Sequence, residues 1–206
     1  MRPQSSATEV ANRSNLLLLI QLRWIAVVGQ VFTILFVHFR LGIGLPMQEM
    51  GSVLALLAAI NIASFLRYQR SPAVSNRELF SQLLLDVTAL SAQLYLSGGA
   101  LNPFISLFLL QVIIGAVLLA GSYAWALVVV ATGCFVALSV FYRPIEIPHD
   151  GELAIASLHV QGLFICFLLV AVLLTYLIIR INGNLAARDA RVAELRRQAV
   201  EEDHIC

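Results

Sequence analysis

The sequence predicts an all-α polytopic membrane protein: a six-transmembrane helix bundle followed by a C-terminal cytoplasmic helical stalk of coiled-coil type. Three observations predict it. Of 206 residues, 60% are hydrophobic and only 12% are charged, against about 45–50% and about 25% in an ordinary soluble domain. A bilayer-crossing helix takes about 20 apolar residues, so this apolar complement fills about six spans. The apolar residues also run in blocks, separated by clusters of Gly, Pro and Arg. A soluble globular domain, a disordered tail and a nucleic-acid binder relying on a basic surface are all excluded.

The elements follow from the blocks and their breakers. Residues 1–21 are read as a cytoplasmic N-terminal segment. The first span covers 22–40 and stops at Arg40, Gly42, Gly44 and Pro46; no small-residue cleavage site marks it as a signal peptide. The second, 47–66, is stopped by RYQRSP (67–72), and the third, 79–96, by Ser97-Gly98-Gly99. The fourth opens at Pro103, a residue tolerated in a first helical turn, and closes near Gly121. The fifth runs over 123–142 to Arg143-Pro144, and the sixth over 154–180. The membrane domain is thus 22–181, and 182–206 forms the stalk.

Orientation follows from arginine, the only basic residue type besides histidine in the chain. The N-terminus, the 67–78 loop, the 121–122 turn and the tail hold eleven: Arg2, Arg13, Arg23, Arg67, Arg70, Arg77, Arg180, Arg188, Arg191, Arg196 and Arg197. The opposite side holds Arg40 and Arg143 only, with Glu146, Asp150 and Glu152 in its 143–152 loop. Both termini are therefore expected in the cytoplasm and the protein in the bacterial inner membrane. In the tail, Leu185, Val192, Leu195 and Ala199 fit heptad a/d positions, while Arg188 and Glu202 interrupt them. That seam is read as a dimerising helix. No glycine stop follows it, so continuation into a cytoplasmic domain is expected.

Polar side chains inside a bilayer are costly and few here. Asp86 lies seven residues into the third span, and Asn61 sits at a similar depth in the antiparallel second span. The expectation is an Asn61–Asp86 hydrogen bond, with Arg77 as the alternative partner of Asp86. Gln93 and Tyr95, near the outer end of the third span, and Gln111 in the fourth either pack against neighbouring helices or line a pocket. Cys134, Cys166 and Cys206 form no CxxC or Cys/His spacing, and His38 and His159 alone make no metal site, so no metal is expected.

The most informative connection is 97–104, Ser-Gly-Gly-Ala-Leu-Asn-Pro-Phe, uncharged and too short to leave the membrane surface. Two readings stand side by side. In one, the glycines end a helix, Asn102 caps the next and Pro103 fills its first turn. In the other, Gly98 and Gly99 admit a ligand close to the backbone, the Asn102 amide and helix-start N–H groups donate to a carbonyl, and Phe104 offers a ring face. A flat, lipid-dissolved quinone suits the second.

The strings LRWIAVVGQ (22–30) and GGALNPF (98–104) resemble the RegB/PrrB/ActS family of redox-responsive sensor histidine kinases. GGALNPF matches that family's GGxxNPF ubiquinone-binding motif at every fixed position, and the six-span topology and the AELRRQAVEEDHI run agree as well. The resemblance implies a redox-sensing input domain that binds ubiquinone through Gly98, Gly99, Asn102, Pro103 and Phe104. It also implies a homodimer whose kinase core uses ATP and passes phosphate to a response regulator. The family's H-E-L-x-x-P histidine box is missing, His204 in DHIC lacks its Glu and Pro, and no asparagine or glycine box is present. No catalytic residue is therefore assigned in 1–206.

Two other classes fit less well. A small transporter or channel would carry internal repeats or several buried charges, and only Asp86 qualifies. A rhomboid-type protease needs GxSG, whereas Leu96-Ser97-Gly98-Gly99 lacks the first glycine; disulfide oxidases need cysteine pairs, and lipid phosphotransferases need aspartate clusters.

Overall fold

The computed structural model describes residues 3–40, 42–70, 73–144, 160–168, 170–172, 174–176 and 178–179, and among these every regular element is helical. Helix α1 (Pro3–Leu35) continues into a π-helical turn, Phe36–Arg40. Then come α2 (Met47–Arg70), α3 (Asn76–Leu96), α4 (Leu107–Leu118) and α5 (Gly121–Val140). Two short 3-10 turns, Gly99–Leu101 and Pro103–Ser106, join α3 to α4. Four helices are long and apolar enough to cross a membrane: Ala11–Arg40, Met47–Arg70, Asn76–Leu96 and Gly121–Val140. Pro103–Leu118 and Val160–Tyr176 are shorter apolar helices. The chain divides into two compact units, Met1–Leu163 and Phe164–Cys206. The described residues of the second are helical, and the stalk expected over 182–206 lies outside them.

Within the first unit, α1, α2 and α3 pack on one another, and α5 packs on α3 and α4. Buried positions recur every three or four residues: Met50, Leu54, Leu57, Asn61 and Ser64 on α2, and Leu79, Leu83, Val87, Leu90 and Leu94 on α3. That spacing puts one stripe of each helix against its neighbours and leaves large apolar side chains such as Phe32, Leu56 and Trp125 outward. Outward-facing apolar surface is what a helix presents to lipid.

The first helix begins far earlier than the span limit at residue 22. Leu16, Leu18, Leu19 and Ile20 are buried, and the two asparagines among them find backbone partners. Asn12 Nδ2 donates to the Val74 carbonyl (3.0 Å), and Asn15 Nδ2 to that of Leu118 (3.4 Å). The polar residues of this turn are satisfied by other elements, so the helix has no reason to break. The α2–α3 connection is fixed in the same region. Ser75 caps α3 by accepting from the Glu78 N–H (3.2 Å), and Arg67 reaches both the Glu78 carboxylate and the Ala73 carbonyl (3.3 Å each).

Candidate functional site

Two polar constellations lie inside the first unit. Deep between α1 and α3, Arg23 meets Asp86 in a bidentate ion pair, Nε to Oδ1 at 2.6 Å and Nη2 to Oδ2 at 3.0 Å. Its other donors reach Gln82, whose side-chain oxygen lies 2.9 Å from Nη1 and whose carbonyl lies 3.1 Å from Nη2. Ser64 Oγ on α2 lies 3.1 Å from the same Gln82 oxygen. The side chains of Arg23 and Asp86 are only 1% and 12% exposed. Ten positions of α3 separate Asp86 from the Asn76 end, about 15 Å at about 1.5 Å per residue, which puts the pair near the middle of the helix. Arginine suits the place because its planar fork satisfies a carboxylate and two further acceptors together.

This geometry replaces the expected Asn61–Asp86 bond. Asn61 is fully buried, but its Nδ2 donates to the Ile20 carbonyl of α1 (3.1 Å), and its Oδ1 has no partner among the described residues. Arg77 does not take its place: the partner of Asp86 is Arg23, which the arginine count from the sequence places at the N-terminal flank. Its helix continues past residue 22 in both directions, so the side chain falls inside the bundle.

The second constellation is the elbow between α3 and α4. Gly98 and Gly99 have φ of +98° and +59°, a backbone region that only glycine enters freely. Asn102 then clasps the turn. Its Nδ2 donates to the Ser97 carbonyl (2.9 Å) and hydroxyl (2.8 Å), while its Oδ1 accepts from the Phe104 N–H (2.9 Å). Ser97 Oγ in turn donates to the Gln93 carbonyl (2.7 Å). The N–H groups of Leu101, Asn102 and Ile105 are taken by Gly98, Gly99 and Asn102 carbonyls. Pro103 fills the first turn after the cap, as read from the sequence.

These bonds decide what each elbow residue has left for a ligand. The Asn102 amide is spent at both ends, so its role is to hold the turn rather than to donate to an incoming carbonyl. The space over Gly99 is also taken: a Cβ there would strike the Tyr142 side chain and come within 2.7 Å of the Leu138 carbonyl. The close approach that Gly99 allows is therefore that of α5's end. Pro103 packs against Gly162, whose Cβ position lies 2.5 Å from the proline ring. Phe104 is partly buried.

Around the elbow, the polar side chains fall into different environments. Gln93 is 5% exposed; its Nε2 donates to the Met50 carbonyl (3.0 Å), and its buried Oε1 has no partner among the described residues. Gln111 likewise has a buried Oε1 with no partner among the described residues. Tyr95 is 46% exposed, and its carbonyl accepts from the Arg143 N–H (2.9 Å). Among the described residues no group of His, Cys, Asp and Glu is placed to hold a metal ion. Gln82, Gln30 and Tyr142 were not singled out from the sequence; a glutamine in an apolar run was the available signal for the first two.

Over 151 residues, 73% of its length, the chain is 28% identical to the sensor histidine kinase RegB of Cereibacter sphaeroides. The similarity supports a RegB-family N-terminal region. The matched stretch amounts to 33% of RegB, so the chain spans about a third of that relative. No family model and no solved structure matches the chain.

Proposed function

We propose that this chain is the membrane-embedded sensing part of a RegB-like two-component sensor histidine kinase, and that a ubiquinone-type head group from the lipid docks beside the 98–104 elbow. The observation that supports this most is the elbow itself. It is an uncharged connection held by its own hydrogen bonds, with a partly buried Phe104 beside it. A pre-formed turn of this kind binds by shape and stacking, and needs no reordering when a ring enters. The Gln111 carboxamide, whose buried oxygen has no partner among the described residues, would then set orientation.

On this reading the two ends of the chain are cytoplasmic, six spans cross the bacterial inner membrane, and the chain pairs with a second copy through its tail. A ligand changes output only by binding two arrangements of the bundle unequally. A tenfold preference corresponds to about 1.4 kcal/mol, sufficient to alter the activity of an attached kinase and phosphate flow to its response regulator. The oxidised head group would favour the kinase-off arrangement.

The test is a titration of ubiquinone-1 into residues 1–206 in lipid nanodiscs. Saturable binding is expected, weakened about tenfold by Phe104→Ala and by Asn102→Ala, the second through loss of the clasp (about 1.4 kcal/mol each). Unchanged affinity in both variants would place the ring elsewhere.

A further inference from the structure

The 98–104 elbow touches two later segments of the chain, and each contact is made at a glycine. Over Gly99 lies the end of α5, through Leu138 and Tyr142. The second contact is to Gly162, on the apolar helix Val160–Tyr176. A Cβ on Gly162 would stand 2.5 Å from Pro103 Cγ, 3.2 Å from its Cβ and 3.8 Å from its Cδ. The proline ring therefore fills the place where a side chain of residue 162 would be. Carbon atoms in ordinary contact lie about 3.5–4.0 Å apart, so even a methyl group there would push the helix off the elbow by about 1 Å. Gly29, Gly51 and Gly133, also within helices, have nothing within 4 Å of their Cβ positions. Gly162 is set apart by what it meets.

The ring that it meets cannot swing aside. It is closed on its own backbone, with φ fixed. The turn that carries it is held from both ends. Asn102 accepts from the Phe104 N–H and donates to Ser97, and Ser106 Oγ donates to the Pro103 carbonyl (3.1 Å). Phe104, whose loss is expected to weaken quinone binding, directly follows Pro103 in this turn. Because the proline already fills the notch, a shift of the turn toward the helix presses on the Gly162 backbone, and a shift away empties the notch. Either movement weakens the seat.

We propose that Gly162 is a positioning residue: its bare backbone seats the helix Val160–Tyr176 on Pro103, and this seat carries occupancy of the elbow into that helix. The proposal rests on the quinone reading above and adds its outlet, at a residue outside the 98–104 motif.

The experiment measures backbone amide hydrogen exchange over residues 160–168, which are helical, in the 1–206 protein held in phosphatidylcholine nanodiscs. It is run with and without excess ubiquinone-1, beside the binding titration. In the parent protein ubiquinone-1 is expected to speed exchange there about threefold, as the seat loosens. Gly162→Ala should speed it about threefold without ligand and leave no further response to ubiquinone-1. Pro103→Ala/Gly162→Ala removes the ring atom nearest the new methyl group and should return ligand-free exchange to within about twofold of the parent, a rescue that a misfolded variant would not show. If ubiquinone-1 binds the parent and exchange over 160–168 does not change, the relay is overturned while the quinone reading stands. Parent-like exchange in Gly162→Ala, or no rescue in the double variant, overturns the seat. Absence of ubiquinone-1 binding to the parent overturns the quinone reading and the relay together.

Discussion

Removing one member of the Arg23–Asp86 pair leaves the other charge buried without a counter-ion, a change that costs about 3–5 kcal/mol. Asp86→Asn and Arg23→Gln are each expected to lower the unfolding free energy of the detergent-solubilised protein by that much, read from its denaturant unfolding curve. The double variant Arg23→Leu/Asp86→Leu should recover most of the loss, because two apolar side chains replace a pair that had to be desolvated together. A double variant as unstable as the two single losses added would mean that the residues act independently. At this scale the sequence is half legible. Asp86 and Asn61 are recognisable as side chains needing partners, because ionisable and amide groups in an apolar run always do. Their partners are not recognisable. Arg23 reaches Asp86 because of a 63-position offset that only the packed loops establish, and Asn61 settles on the Ile20 carbonyl, a group every residue carries.

Among the elements, the elbow was the most readable, since its ingredients are local. Glycine ends α3, Asn102 caps the following turn and Pro103 occupies its first position, each through bonds within a few residues. What closes over Gly99 comes from 40 residues further along, at Leu138 and Tyr142, and leaves no local trace. Gly99→Ala is accordingly expected to destabilise on two counts. The left-handed backbone costs an L-residue about 1–2 kcal/mol, and overpacking against Tyr142 adds about 1–3 kcal/mol. Gly133→Ala on α5 makes the contrast: nothing lies within 4 Å of its Cβ position, and alanine in a helix is favoured over glycine by about 1 kcal/mol. Thermal unfolding of the two variants side by side should move in opposite directions. The start of α1 was less legible, because Asn12 and Asn15 look like the end of a polar segment until Val74 and Leu118 supply their acceptors.

For the whole molecule, the ion pair alters the charge count that sets orientation. Arg23 is buried against its carboxylate partner, so it no longer counts among the flanking arginines. On the proposed six-span topology ten remain on the side of the chain ends and the 67–78 loop, against Arg40 and Arg143 on the elbow side. Of the two, Arg143 is also accompanied by acids: it lies 3.2 Å from Glu49, and Glu146, Asp150 and Glu152 follow it in sequence. Acidic residues contribute little to orientation, so on the proposed topology the bias rests on the arginines and stays ten to two. Cysteine-labelling or reporter fusions near residues 100 and 147 should therefore report the outer face, and those near 72 and the C-terminus the cytoplasm. Moving the bias is the sharper test. Neutralising Arg67, Arg70 and Arg77 together weakens the only internal loop that retains α2 and α3, and a minority of chains should then expose residue 72 outside. If residue 100 reports the cytoplasm in the parent protein, the elbow faces the wrong compartment. The dominance of loop arginines over a buried, neutralised Arg23 would then be mistaken for this bundle.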